Sequence, residues 1–275
     1  TRDAAQLSKG AGVSLRNPLV IINGSYNDVR MGAEISSYLK GYNDPRIASY
    51  FVKAKNNGIE GYYAVRTNIP TTDDYLDKAK SSSLNVQDGT PIYIMKASEV
   101  YFLRAEGALR GWNMGGGTAQ SYYEKGIATS FEENDLSASQ AAAYAANSTA
   151  TPANFVDALH SEYDTPATST ITIKWETGAT NFERNLERII TQKYLAIYPD
   201  GQEAWSEYRR TGYPRIFPAV LTATDCDVDG DLRPTRIPYS NDEYIKNLAN
   251  VKKAVQLLHG ADNGATRLWW DKKVK

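Results

Sequence analysis

TNFERNLERIITQKYLAIYPDGQEAWSEYRRTGYPR, residues 180–215, carries the clearest helical signals in the chain. Phe182, Leu186, Ile189, Ile190 and Ile197 recur at helical spacing and form one wide apolar face. Thr180, followed three residues later by Glu183, has the form of a capping box that would start this helix. Tyr198-Pro199-Asp200-Gly201 interrupts it, and a second helix is expected over Gln202 to Thr211, with Trp205 and Tyr208 on one side. Gly212 suits the left-handed position past its end, and Pro214 prevents continuation. The stretch is thus a helical hairpin with a sharp corner. Arg209 and Arg210 stand beside Tyr208 and Tyr213. They fit two readings: structural arginines with buried stems whose forks hold carboxylates or carbonyls, or a functional pair.

Outward from the hairpin, the next clear helix is KASEVYFLRAEGALR, Lys96 to Arg110. Its apolar residues lie all round the axis, so it is expected to be contacted on several sides, with Glu99, Arg104, Glu106 and Arg110 paired or solvated. Glu106 and Arg110 have the favourable i,i+4 spacing. The turn GWNMGGG, residues 111–117, leads to a helix over Ala119–Thr129 capped by Thr118. Ala105, Ala108, Ala119 and Gly126 would let the two helices approach closely, as in a tetratricopeptide-like pair over about 96–130. Further helices are expected over Val29–Leu39, Asp73–Ala79, Gln140–Ala146, from Pro152 through Leu159, and from a second capping box at Ser240 and Glu243 to Leu258. Arg46 to Ala54 continues with Ile47 and Phe51 on one face. Ile171, Ile173 and Trp175 alternate with Thr172 and Lys174, the pattern of a short strand. Asn56-Asn57-Gly58 signals a turn. Trp205, Trp269 and Trp270 are expected in the core, the last two in an apolar plug at 267–271.

The chain has 275 residues, 23% of them charged, and a formal net charge of -1, which gives no sign of a nucleic-acid partner. Nineteen tyrosines suit either half-wet, sugar-contacting surfaces or ordinary packing. The single Cys226 rules out an intrachain disulfide framework, and two histidines, His160 and His259, are too few for a zinc site. These residues hold no signal-peptide pattern and no apolar run of 18 residues, and any targeting signal is expected outside this sequence. Residues 225–231, DCDVDGD, imitate the start of a calcium loop, but Arg236 stands where a bidentate glutamate belongs; a solvated acidic turn is the better reading, and no metal or other cofactor is expected. The triple glycine at 115–117 lacks the Lys-Ser/Thr of a phosphate loop. Glu99 and Glu106 lie two turns apart with no neighbouring nucleophile or base, so no catalytic residues are assigned.

Four ordered segments together resemble the C-terminal part of the SusD/RagB family of Bacteroidetes outer-membrane nutrient-binding lipoproteins: KASEVYFLRAEGALRGW at 96–112, ERIITQKYLAIYPDGQEAWSEYRRTGYPR at 187–215, RPTRIPYSNDEY at 233–244 and GADNGATRLWWDKK at 260–273. The resemblance implies a mainly α, SusD-like fold: tetratricopeptide-like helix pairs beside an irregular, loop-rich region with a few short strands, in one region over 1–275. It implies a non-enzymatic protein at the cell-surface side of the outer membrane. Such a protein binds a glycan, oligosaccharide or other nutrient and passes it to a TonB-dependent, SusC-like transporter. An alternative use is as a mainly structural lid or peptide-binding partner of that barrel. Complete members look nearly twice as long, so the N-terminal helical repeats and the lipid-bearing cysteine are expected outside this sequence; Cys226 lies too deep to carry the lipid. The family's ligand residues lie in variable loops and transfer to no position here. From chemistry alone, Trp112 with Asn113, and Trp175, are the candidates for ligand binding, each with a core role as the competing reading.

Overall fold

The computed structural model describes residues 4–8, 16–70, 72–220 and 233–271. Strand β1 (Ala5–Leu7) precedes a helical stretch at 18–26 and helix α1 (Ala33–Gly41). After one helical turn, Ile47–Tyr50, strands β2 (Ala54–Asn56) and β3 (Ile59–Gly61) form an antiparallel hairpin. Asn57 and Gly58 make its turn with positive φ of 48° and 81°, the backbone a two-residue hairpin needs. Strand β4 (Ile92–Met95) pairs antiparallel with β1, Gln6 opposite Tyr93. Helices α2 (Ala97–Leu109), α3 (Ala119–Glu133) and α4 (Ala138–Ala145) follow. The hairpin of 180–215 becomes α5 (Phe182–Ile197) and α6 (Gly201–Thr211), and α7 (Leu248–Gln256) lies near the C-terminal end. The architecture is mainly α, with a helix pair where 96–130 predicts one.

Helices α2 and α3 form the most extensive contact between elements, and α5 packs across α2. A Cβ added at Gly126 would sit 2.8 Å from the Phe102 ring, so the absence of a side chain there sets how closely α2 and α3 approach. Thr118 caps α3, its Oγ1 accepting from the Ser121 amide, as expected. Asp200 caps α6 by accepting from the Glu203 amide at 3.0 Å, and Gly212 ends α6 with φ 76°. Every residue of α5 from 185 to 197 except Tyr194 is buried, including Glu187, Arg188, Gln192 and Lys193. Periodicity assigns such residues to solvent; here each finds a charged or polar partner inside.

The buried tyrosines explain how irregular segments enter the core. Tyr42 Oη donates to the Ile171 carbonyl at 2.9 Å and Tyr123 Oη to the Ile173 carbonyl at 2.6 Å. Tyr50 serves Leu195, and Tyr38 serves Arg215. Segment 171–175 therefore keeps the alternation of a strand, with Ile171 and Ile173 buried, but forms no ladder. Phenol hydroxyls replace the neighbouring strand as donors.

Several local expectations are corrected. Thr180 does not cap α5: a tight turn at Ala179–Asn181 puts Asn181 at that position with no side-chain cap bond, its side-chain amide donating back to the Thr177 carbonyl, and Glu183 accepts instead from Tyr213 Oη at 2.9 Å. Ser240 makes no side-chain cap either, and the expected helix to Leu258 is broken at Asn247 into Asn241–Lys246 and α7. Of the stripe Tyr244, Leu248, Val251, Val255 and Leu258, only Val251 is fully buried. Residues 152–159 are not helical: Phe155 and Thr165 exchange backbone hydrogen bonds, and Asp157 Oδ1 accepts from the amides of Leu159 and His160 in a turn. The tryptophans are not core. Trp269 is 82% exposed and Trp270 is 36% exposed. Half-buried Trp205 donates from Nε1 to the Pro234 carbonyl, and the Arg209 guanidinium stacks 3.9 Å from its ring centre and 5.4 Å from that of Trp270. The acidic stretch 225–231 and Cys226 lie outside the described residues.

Candidate functional site

Trp112 and Asn113 occupy the turn that α2 makes before α3. Gly111 takes φ 78°, and the Trp112 amide donates to the Gly107 carbonyl, closing the helix. Met114 packs onto Gly107, and its carbonyl accepts from Arg104 and from Tyr122 Oη. The turn is thereby pinned from behind while Trp112 stays 63% exposed, with the Arg110 guanidinium 6.0 Å from its ring. Asn113 spends its Oδ1 on the Gly115 amide, which orders the turn.

Trp175 is half-buried, its ring 5.4 Å from that of Tyr123, and it lines a cavity of about 320 Å³ together with Lys174, Glu176 and Asn181. Neither Trp112 nor Asn113 lines this cavity, so the sequence candidates form two places rather than one. Beside Trp175, Glu176 receives both Arg184, at 2.8 Å, and fully buried Arg188, at 2.5 Å. Hydrogen bonds from Arg184, opposed by burial and joined by Arg188, hold the Glu176 carboxyl down at about 2. A depressed folded-state pKa contributes stability above the ordinary carboxylate range that is lost as pH falls through about 2. Glu176→Gln is therefore expected to lower stability by about 1 kcal/mol at pH 7, a modest figure because the group is partly in water. The difference from wild type should vanish near pH 2 in urea titrations; a constant difference across that range would overturn the assignment.

The arginines and acids singled out in the sequence are structural. Arg210 forks onto Glu106 at 2.5 and 2.6 Å and also reaches Glu207. Arg110 adds a second cation to Glu106 at 2.8 Å, and Glu99 lies 3.3 Å from Lys193. Among the described residues, no group of three or more His, Cys, Asp or Glu side chains is placed to hold a metal ion, and no helix is long and apolar enough to cross a membrane.

A larger cavity, about 600 Å³, escapes sequence reasoning because its walls come from five separated segments. Tyr50, Tyr93 and Tyr198 line it, with Lys96 and Glu133 among its polar groups and Asp200 at its exposed edge. Lys96 precedes α2 at the capping position, where a lysine cannot cap; that misplaced residue type is the one local signal. The cap comes from Glu133, which accepts from the Ser98 amide at 3.0 Å and the Ser98 hydroxyl at 2.6 Å. Lys96 Nζ, almost wholly buried, donates to the carbonyls of Ala196 and Tyr198, each at 2.9 Å. It lies 4.9 Å from the Tyr93 ring centre and 5.8 Å from that of Tyr50. Burial lowers this ammonium to about 8, against the opposing pull of Glu133.

A family model described as SusD-like, Susd and RagB outer membrane lipoprotein, matches residues 1–271. Among solved structures, a SusD homologue from Bacteroides thetaiotaomicron is 41% identical with a TM-score of 0.90, covering 99% of this chain and 57% of its own. A chitin-binding SusD homologue from Flavobacterium johnsoniae is also 41% identical, TM-score 0.88, over 99% of this chain and 55% of its own. One from Bacteroides ovatus is 37% identical, TM-score 0.89, over 98% and 57%. No curated protein matches the chain. The chain thus spans a little over half the length of these relatives. Fold, helix pair and the extent of the match agree: this chain belongs to the SusD-like family of Susd and RagB outer membrane lipoproteins.

Proposed function

We propose that this protein is a non-catalytic, cell-surface glycan-binding protein. The observation that carries this reading is the 41% identity, over 99% of the chain, to a SusD homologue described as chitin-binding. In the full-length protein a lipid anchor holds it at the outer membrane, and it hands its ligand to a TonB-dependent, SusC-like transporter. Trp112, with Asn113 ordering its turn, and Trp175 are the proposed ligand contacts. An exposed indole held by a braced turn offers a flat apolar face for a pyranose ring at little ordering cost. Lys174, Glu176 and Asn181 around Trp175 supply polar groups of both signs for hydroxyls.

Calorimetry of the full-length protein against chitin, cellulose and starch oligosaccharides is expected to give saturable binding of at least one, with the sugar recovered intact. Trp112→Ala should weaken that binding about tenfold or more, the loss typical of an aromatic anchor. Absence of binding to every oligosaccharide together with tight binding of a peptide would overturn this reading in favour of a peptide-binding partner of the barrel.

A further inference from the structure

The geometry points to a separate ligand site in the 600 Å³ cavity at Lys96, and to a neutral pyranose unit as the chemical class it takes. This rests on the glycan-binding reading but concerns a place distinct from Trp112 and Trp175. The volume lies in the range of preformed small-molecule sites. Its groups select among ligand classes. Three tyrosine rings, Tyr50, Tyr93 and Tyr198, line it, and Tyr198 is itself braced 4.8 Å from Tyr50 and 5.1 Å from Phe51. Such rings favour a ligand with a flat apolar face. Lys96 uses two of its three N–H bonds on the carbonyls of Ala196 and Tyr198. A purely apolar ligand would bury the remaining donor without an acceptor, at a cost in affinity. An anionic ligand would gain Lys96 but would be brought among Glu133 and Asp200, whose combined charge exceeds it. Glu133 and Asp200 already accept from Ser98 and Glu203, yet each carboxylate keeps acceptor capacity for a hydroxyl. A sugar ring meets all three demands. It has a C–H face for the tyrosines, an oxygen for Lys96, and hydroxyl donors for Glu133 and Asp200.

The test uses the full-length protein, with N,N′-diacetylchitobiose, cellobiose and maltose as probes in calorimetry, followed by crystals soaked in the sugar that binds. Lys96→Met keeps the stem and removes the donor; Tyr93→Ala, at a half-buried position, removes one wall if the first variant fails to fold. Each folded variant is expected to bind at least tenfold more weakly than wild type, and the soaked crystal to show the ring beside Lys96. An exposed control, Val156→Ser, should bind within twofold of wild type. Wild-type affinity in both cavity variants, or density for the sugar at Trp112 or Trp175 alone, overturns this site and leaves the glycan-binding reading standing. Failure of wild type to bind any of the three sugars, or any other oligosaccharide, overturns both.

Discussion

Replacing Arg46 by methionine is expected to cost about 3–5 kcal/mol of folding stability, the penalty for breaking a buried ion pair from one side. Arg46 and Asp44 are both wholly removed from water and lie 2.6 Å apart. The guanidinium also donates to Ser130 Oγ at 2.8 Å and Gln192 Oε1 at 3.0 Å, and it stacks between Phe131 and Tyr144, 5.1 and 5.4 Å from their ring centres. One side chain thereby joins the loop after α1 to α3, α4 and α5. Methionine nearly fills the volume, so the loss would come from the stranded Asp44 carboxylate rather than from a cavity. Adding Asp44→Asn to the variant should recover part of it. Urea unfolding at pH 7 reads all three proteins. A loss below about 1 kcal/mol for Arg46→Met would mean the pair contributes no more than a surface salt bridge.

Lys193→Met is expected to be comparably damaging, about 3–5 kcal/mol at pH 7. Lys193 is 1% exposed and is shared by Glu203 at 2.5 Å, Glu207 at 2.9 Å and Glu99 at 3.3 Å, which ties α5 to both α6 and α2. Burial lowers its pKa, but Glu207 and Glu203 outweigh that and raise it above the ordinary lysine value of 10.5. A raised lysine contributes stability that is complete below 10.5 and is lost as pH climbs through the higher folded value, so wild type holds the full contribution at neutral pH. Burial also raises Glu99 even with Lys193 beside it. Without the cation Glu99 would take up a proton more readily still. The gap between variant and wild type should therefore narrow as pH falls from 7 towards 4. Thermal unfolding across that range measures it, and a gap that stays constant would show that packing, not charge, carries the effect.

Much of the scaffold was legible in local sequence. The corner at 198–201, the stop at Gly212, the Thr118 cap and the α2–α3 pair follow from rules that act within one or two turns of chain, and they stand where expected. The capping box at Thr180 fails because Glu183 is drawn to Tyr213, thirty residues away, and at Ser240 the side chain makes no cap while Glu243 accepts from Asn247 one turn on. The core assignment of Trp269 fails because an apolar residue type says what burial would gain and not whether a neighbour arrives to cover it. Trp112 and Trp175 stand out by residue type, but their separation into two places depends on long-range packing. The Lys96 cavity could not be read at all, since its walls are assembled from residues as far apart as 17 and 200.

The mainly α character of the chain, the course of its principal helices and the family resemblance are all legible from local sequence. These depend on periodicity, turn chemistry and ordered motifs, all local properties of the chain. Long-range packing alone buries the polar side of α5, lets tyrosine hydroxyls stand in for a missing strand, and turns Lys96 to a cavity while Lys193 closes an ionic lattice. Both residues carry the same side chain, Lys96 just before α2 and Lys193 within α5. What separates them is the company that distant segments bring, because the energy of a charge is set by its surroundings and not by its place in the chain.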